Sequence, residues 1–209
     1  MTATHVRPSS IRLKHVAFVL LALMALVVLV QRDLQLIDAG SQLRQRYAAI
    51  GWFMLVHGVF GAIALFIPPF QFSSRLRQRH LRVHRFLGRI YVLGVAVAAP
   101  ISIPIAVILG PPVLVMAATI QALGWMLTTA TAWYCVRTGR IQQHREWMMR
   151  SYPFAVVFVF VRSILAIPAV ERLGEVGFVS VVWSVIAVAC FLPSFLIAWN
   201  GVRVAKPAS

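Results

Sequence analysis

Two short passages set a histidine beside arginines at matched spacing. His84-Arg85-Phe86-Leu87-Gly88-Arg89-Ile90-Tyr91 and His144-Arg145-Glu146-Trp147-Met148-Met149-Arg150-Ser151-Tyr152 share His-Arg, then Arg, then Tyr, at offsets equal to within one residue and sixty residues apart. Two neutral imidazoles facing each other from neighbouring helices would suit the iron of a b-type haem, and Arg85, Arg89 and Arg145 would pair its propionates. The plainer reading is that each His-Arg pair anchors a helix end in the headgroup layer, where arginine meets lipid phosphate. Spacing alone favours that plainer reading. Tyr91 and Trp147 likewise have an ordinary explanation as interfacial aromatics.

A second set is spread over three apolar stretches. His57, Gln121 and Arg162 each fall about eight residues inside the expected outer end of a span, a depth of roughly 12 Å. Polar side chains at membrane depth are costly and usually face the bundle interior. Together they could hold a quinone or another anionic partner, with Trp52, Phe53, Phe60, Phe66 and Trp125 as apolar lining. Equally, His57 and Gln121 could hydrogen-bond between helices while Arg162 snorkels to the interface. Gly58, Gly61 and Ala62 offer small residues for close helix approach.

Other chemistry is thinly represented. His80 and His84 stand four apart on one helix face but have no local third ligand, so no metal site is expected. Cys135 and Cys190 show no CxxC or Cys/His spacing, which argues against a zinc site or a disulfide framework. Nucleophilic triads, paired catalytic carboxylates, phosphate loops and nucleic-acid motifs are absent, so catalytic residues remain unassigned.

The elements that must position these residues follow from composition. Hydrophobic residues make up 60% of the 209 and charged ones 12%, far too little polar surface for a soluble fold. The apolar runs are long and lack strand-like alternation, which selects an all-α polytopic transmembrane bundle over a barrel. Six runs are expected to span: Val16 to Gln31, Ala49 to Phe70, Phe86 to Leu109, Pro112 to Val136, Tyr152 to Ala169 and Phe178 to Asn200. The first is short, rising roughly 24 Å. Pro100 and Pro104 should kink the third.

The net charge of +15 would suggest nucleic acid on a soluble domain, but here the arginines collect between the runs and orient them. Residues 73–89 and 137–150 are the richest in arginine and belong in the cytoplasm, which gives an N-in, C-in topology. Three regions result: 1–48 as tail, anchor helix and outer loop, 49–169 as a four-helix core of two hairpins, and 170–209 as outer loop, last span and short tail. The expected setting is the bacterial inner membrane, with the lipid bilayer as first partner.

His57-Gly58 with Gly61-Ala62, Pro69-Phe70-Gln71-Phe72, His84-Arg85-x-x-Gly88-Arg89-x-Tyr91 and His144-Arg145-x-Trp147-Met148-x-Arg150-Ser151-Tyr152 together resemble the bacterial membrane-protein family catalogued as domain of unknown function 2306. The resemblance covers roughly Ala49 to Ala169 and leaves the first and last spans outside. It implies membrane location and core architecture, and no activity. More loosely, the arrangement is similar to the four-helix di-haem cytochrome b561 type. Here His57 has no histidine counterpart on the fourth span, so only His84 with His144 remains as a bis-histidine pair. A b-cytochrome-like redox role is the leading specific expectation, and the alternatives are a small-molecule or ion transporter or an assembly partner of another membrane complex.

Overall fold

A computed structural model of the chain describes residues 19–27, 40, 45 and 47–204. Helical backbone covers residues 19–27 (α1). It is followed by α2 (Gly51–Phe66), the short α3 (Pro68–Gln71) and α4 (Ser74–Arg79), then α5 (Leu81–Leu109), α6 (Pro112–Arg137), α7 (Ile141–Leu165), the short α8 (Pro168–Glu171) and α9 (Gly174–Val204). Among the described residues, five helical stretches are long and apolar enough to cross a membrane: Gly51–Gln71, Leu81–Leu109, Pro112–Arg137, Ile141–Leu165 and Gly174–Val202. The all-α polytopic architecture is therefore observed. Most of the outer loop expected before residue 49 lies outside the described residues, as does the first expected span apart from 19–27.

The punctuation of the chain sets these boundaries. Gly110 and Pro111 adopt extended backbone and Pro112 opens α6 at its first turn, where a missing N–H costs nothing. At the other end of α6, Gly139 takes φ 76°, with Arg140 N–H donating to Cys135 O at 2.8 Å and Gly139 N–H to Val136 O at 3.4 Å. These two bonds form a Schellman cap, so α7 begins almost at once. The connection between α2 and α5 is longer, because Pro68 and Pro69 interrupt the helix after Phe66 and Ser73 caps α4 by accepting from Leu76 N–H. α5 runs unbroken through Pro100 and Pro104.

α2 packs on α5, α5 on α6, α6 on α7 and α7 on α9, while α2 also reaches α7 and closes the bundle. α1 lies against α2 and α7 through Ala25, Leu65 and Val159. α5 approaches α2 closely at Gly94, where a Cβ would come within 3.1 Å of Phe60 O. Gly58 and Gly61 face open space, so the close contact expected of them is made by the opposite helix. Outward faces stay apolar, with Trp52, Leu127, Phe191 and Phe195 all exposed. Such a surface requires lipid as its solvent.

Helices of 25 to 29 residues rise about 38–44 Å, more than the roughly 30 Å hydrocarbon core. α5 and α7 both start earlier than hydropathy suggested, at Leu81 and Ile141 rather than Phe86 and Tyr152. His84 and His144 therefore belong to the first turn of each helix, at the arginine-rich end.

Candidate functional site at the inner end of the bundle

Helix periodicity turns the placement of the two histidines into counting. Residues seven apart lie within about 20° of one another around a helix. His84 and Tyr91 thus share one face of α5, and His144 and Ser151 share one face of α7. The Tyr91 and Ser151 hydroxyls meet at 2.6 Å in the centre of the molecule. α5 and α7 stand across from each other rather than packed along their length, and Tyr91 bridges the gap. His84 and His144 thus lie two turns nearer the arginine-rich end, on the helix faces whose Tyr91 and Ser151 meet. Arg77 and Arg85 are the permanent charges that bear on the His84 imidazole, joined by His144 when that ring is protonated.

The two rings are held differently. His144 Nδ1 lies 2.9 Å from Ala132 O on α6. A carbonyl only accepts, so in the neutral ring Nδ1 carries the proton and Nε2 the lone pair. His84 Nδ1 is buried without a hydrogen-bond partner, and so is Gln71 Nε2 at the end of α3. Arg85, Arg89 and Arg145 carry exposed side chains on other faces of their helices. Arg150 turns toward α9, with Nε donating to Ser194 Oγ at 3.3 Å and its guanidinium 4.9 Å from the Trp147 ring centroid.

Beyond the histidines lies a closed ring of hydrogen bonds. Trp125 Nε1–H donates to Tyr91 OH at 3.1 Å, and Thr129 Oγ1 donates to Trp125 O at 2.8 Å. Thr129 has then used its one proton and must accept from Ser151 Oγ at 2.6 Å. Ser151 in turn must accept from Tyr91 O–H. The chain of donors runs from Trp125 through Tyr91, Ser151 and Thr129 back to Trp125, with every hydroxyl giving one bond and taking one. All four residues are at most 6% exposed. A fully satisfied ring of this kind rigidifies a core, and it ties α5, α6 and α7 together. The expectation of Tyr91 as an interfacial aromatic is overturned by its complete burial in this ring.

The outer residues are distributed over different helix pairs. His57 Nδ1 donates to Ala98 O at 2.9 Å, joining α2 to α5. Gln121 Nε2 donates to Phe154 O at 3.2 Å, joining α6 to α7. α7 ends at Leu165, so Arg162 lies in its last turn rather than two turns deep, with its guanidinium 4.7 Å from the Phe158 ring centroid. Its side chain sits where a cation meets the negative end of the helix dipole.

Sequence reasoning did not single out Ser151, Thr129 or Gln71 as functional. The signal for Ser151 was available in the seven-residue offset from His144. Nothing local marked Thr129 or Gln71, whose positions depend on neighbouring helices.

No curated protein and no solved structure matches this chain. A family model does match, over residues 54–200, with the description predicted membrane protein, DUF2306. The match extends through most of α9, so the last span lies within the family region and not outside it as the motif comparison suggested. A multi-pass bundle with a polar, hydrogen-bonded centre and a histidine in the first turn of two of its spans is thus what this chain builds as a member of the DUF2306 family of predicted membrane proteins.

Proposed function

We propose that this protein is a transmembrane redox protein of b-cytochrome type in the bacterial inner membrane, with His84 and His144 as axial ligands of one haem b. The observation that carries the reading is the 2.6 Å Tyr91–Ser151 contact, which turns the two histidine faces toward a common interior. A histidine that ligates a metal ordinarily gives its second ring N–H to an oxygen. His144 already does so with Ala132 O, which leaves Nε2 to donate its lone pair.

A bound haem would supply one-electron chemistry. The chain itself would orient the imidazoles and exclude water from the core side through the closed hydroxyl ring, while the long, exposed side chains of Arg85, Arg89 and Arg145, which start from neighbouring helix faces, would have to reach around to meet the propionates at the headgroup level. Toward the other surface, a quinone or another anionic partner held by His57, Gln121 and Arg162 would have to draw His57 and Gln121 away from the Ala98 and Phe154 carbonyls to which they donate. A transport role ranks behind this reading because the Trp125–Tyr91–Ser151–Thr129 ring occupies the middle of the bundle with no hydroxyl left to line a pathway.

The test is an absorption spectrum of the full chain purified after expression with ample haem. A Soret band that is lost or shifted in His84→Ala and in His144→Ala is the expected result. A protein without a Soret band, or one whose band ignores His144→Ala, sinks the proposal. Proteoliposome uptake abolished by Arg162→Ala, with no chromophore, would transfer the case to transport.

A further inference from the structure

Among the described residues, two buried side-chain nitrogen atoms at the inner end have no hydrogen-bond partner: Gln71 Nε2 and His84 Nδ1. Such groups are uncommon in folded proteins and point to a partner that the protein itself does not supply. Gln71 is only 8% exposed, so water at the surface does not serve it. The two atoms belong to one locality. The Gln71 carboxamide lies against α5 at Gly88, where an added Cβ would sit 3.9 Å from Oε1, and Gly88 follows His84 by one turn on the same face. Arg77 connects them, because its Nη1 donates to Gln71 O at 3.4 Å and to Phe72 O at 3.3 Å while its charge reaches His84.

Gly88 shows that the α5 face beside these nitrogens is not tightly packed, since an added methyl would make only an ordinary van der Waals contact with Gln71. Gly88 lies inside a helix, no positive φ requires glycine there, and a Cβ would meet nothing closer than that carboxamide oxygen. Alanine is the better helix former at such a position. What glycine leaves is room in front of the backbone beside two unpaired nitrogens.

The charge around this room has one sign. Arg77 and Arg85 carry the permanent charges that bear on His84, and Glu146, two residues beyond His144, is engaged by Gln142 and Arg150. The Gln71 amide N–H and the Arg77 guanidinium can only donate, and His84 Nδ1 donates in the tautomer that carries the proton there; such a set without an acceptor calls for an oxyanion. We infer that Gln71 Nε2, His84 Nδ1 and the unused part of the Arg77 guanidinium form a cradle for a phosphate group in the space before Gly88. The phosphate is either the headgroup of a membrane lipid or free phosphate, since the donors recognise the same oxygens in both. The site does not depend on the haem reading, and it is compatible with it: iron at His84 Nε2 leaves Nδ1 as an N–H in need of an acceptor.

The experiment is thermal unfolding of the full chain in a phosphate-free neutral detergent. Inorganic phosphate is compared with chloride at equal ionic strength, and short-chain phosphatidylglycerol with a short-chain glyceride lacking phosphate. A saturable rise in Tm is expected with at least one phosphate-bearing probe. Stabilisation by the lipid alone assigns the headgroup, and stabilisation by both probes assigns a phosphate-sized site. The half-saturating concentration should rise at least tenfold in Gln71→Glu, which keeps the side-chain shape but repels anions, and in Arg77→Gln. Gly88→Leu should abolish the response by filling the space, while the exposed Arg79→Gln should change it less than twofold. No stabilisation by either probe overturns the inference, as does equal weakening by Arg79→Gln and Arg77→Gln, which would make the effect one of general charge.

Discussion

The two hairpins of the core begin their second helices with the same His-Arg pair, yet treat the imidazole differently. Between α6 and α7 the Gly139 cap makes the turn so short that His144 lies beside Ala132 and donates to its carbonyl. Between α2 and α5 the chain detours through α3 and α4, and the His84 Nδ1 atom is left without a partner. A shared local motif therefore does not imply a shared environment; the length of the preceding connection decides it. The tyrosines teach the same lesson through rotation. Tyr91 follows His84 by seven positions and enters the central ring, whereas Tyr152 follows His144 by eight. That one residue is about 100° of helix. Tyr152 accordingly turns to α2, where its OH donates to Leu65 O at 3.3 Å and its ring meets Phe72 edge-on at 5.8 Å between centroids. Ser151 takes the place that the motif would have assigned to tyrosine.

Substitutions that separate these equivalents test the comparison, and the largest effect belongs to the ring. Ser151→Ala strands the Tyr91 O–H and removes the donor to Thr129, so a loss of about 2–3 kcal/mol is expected in reversible unfolding in detergent. A loss no larger than that of an exposed control would show that the ring does not brace the core. Next comes Gly124→Ala on α6, where the added Cβ would lie 2.9 Å from Cζ of the buried Phe154 ring. Overpacking there should cost about 1–3 kcal/mol, and an unchanged Tm would mean that the ring yields without resistance. Tyr152→Phe, the counterpart of the ring tyrosine, gives up a single bond to a backbone carbonyl and should cost about 0.5–1 kcal/mol. Finding it as damaging as Ser151→Ala would erase the distinction drawn from the one-residue offset. The smallest change is Gly88→Ala on α5, which should be neutral or stabilising by up to about 1 kcal/mol. A marked loss of Tm there would show that the space before Gly88 is already filled.

Much of this architecture was legible before any coordinates. The spans from Pro112 and Phe178 onward appear within a few residues of where hydropathy placed them, because transfer into lipid is decided residue by residue along the chain. The starts of α5 and α7 were misplaced, since arginine and glutamine continue a helix into the headgroup layer without registering as apolar. The helix that carries Arg162 stops at Leu165, before the apolar run does, so its place in a last helical turn was not legible from hydropathy. His84 and His144 were found as a pair through their repeat. Gln71, Thr129 and Ser151 were not, because each owes its role to an atom on another helix.

What the residues alone determined, then, is that the chain lives in a membrane, that it is helical, and that its arginines gather at one end. These properties are sums of local transfer energies and charges. Only the tertiary structure decided which imidazole nitrogen is partnered, which hydroxyls close the ring and which amide is left buried without an acceptor. Those outcomes depend on the rotation of each helix about its axis and on the reach of its loops, which are settled by packing between segments far apart in the chain.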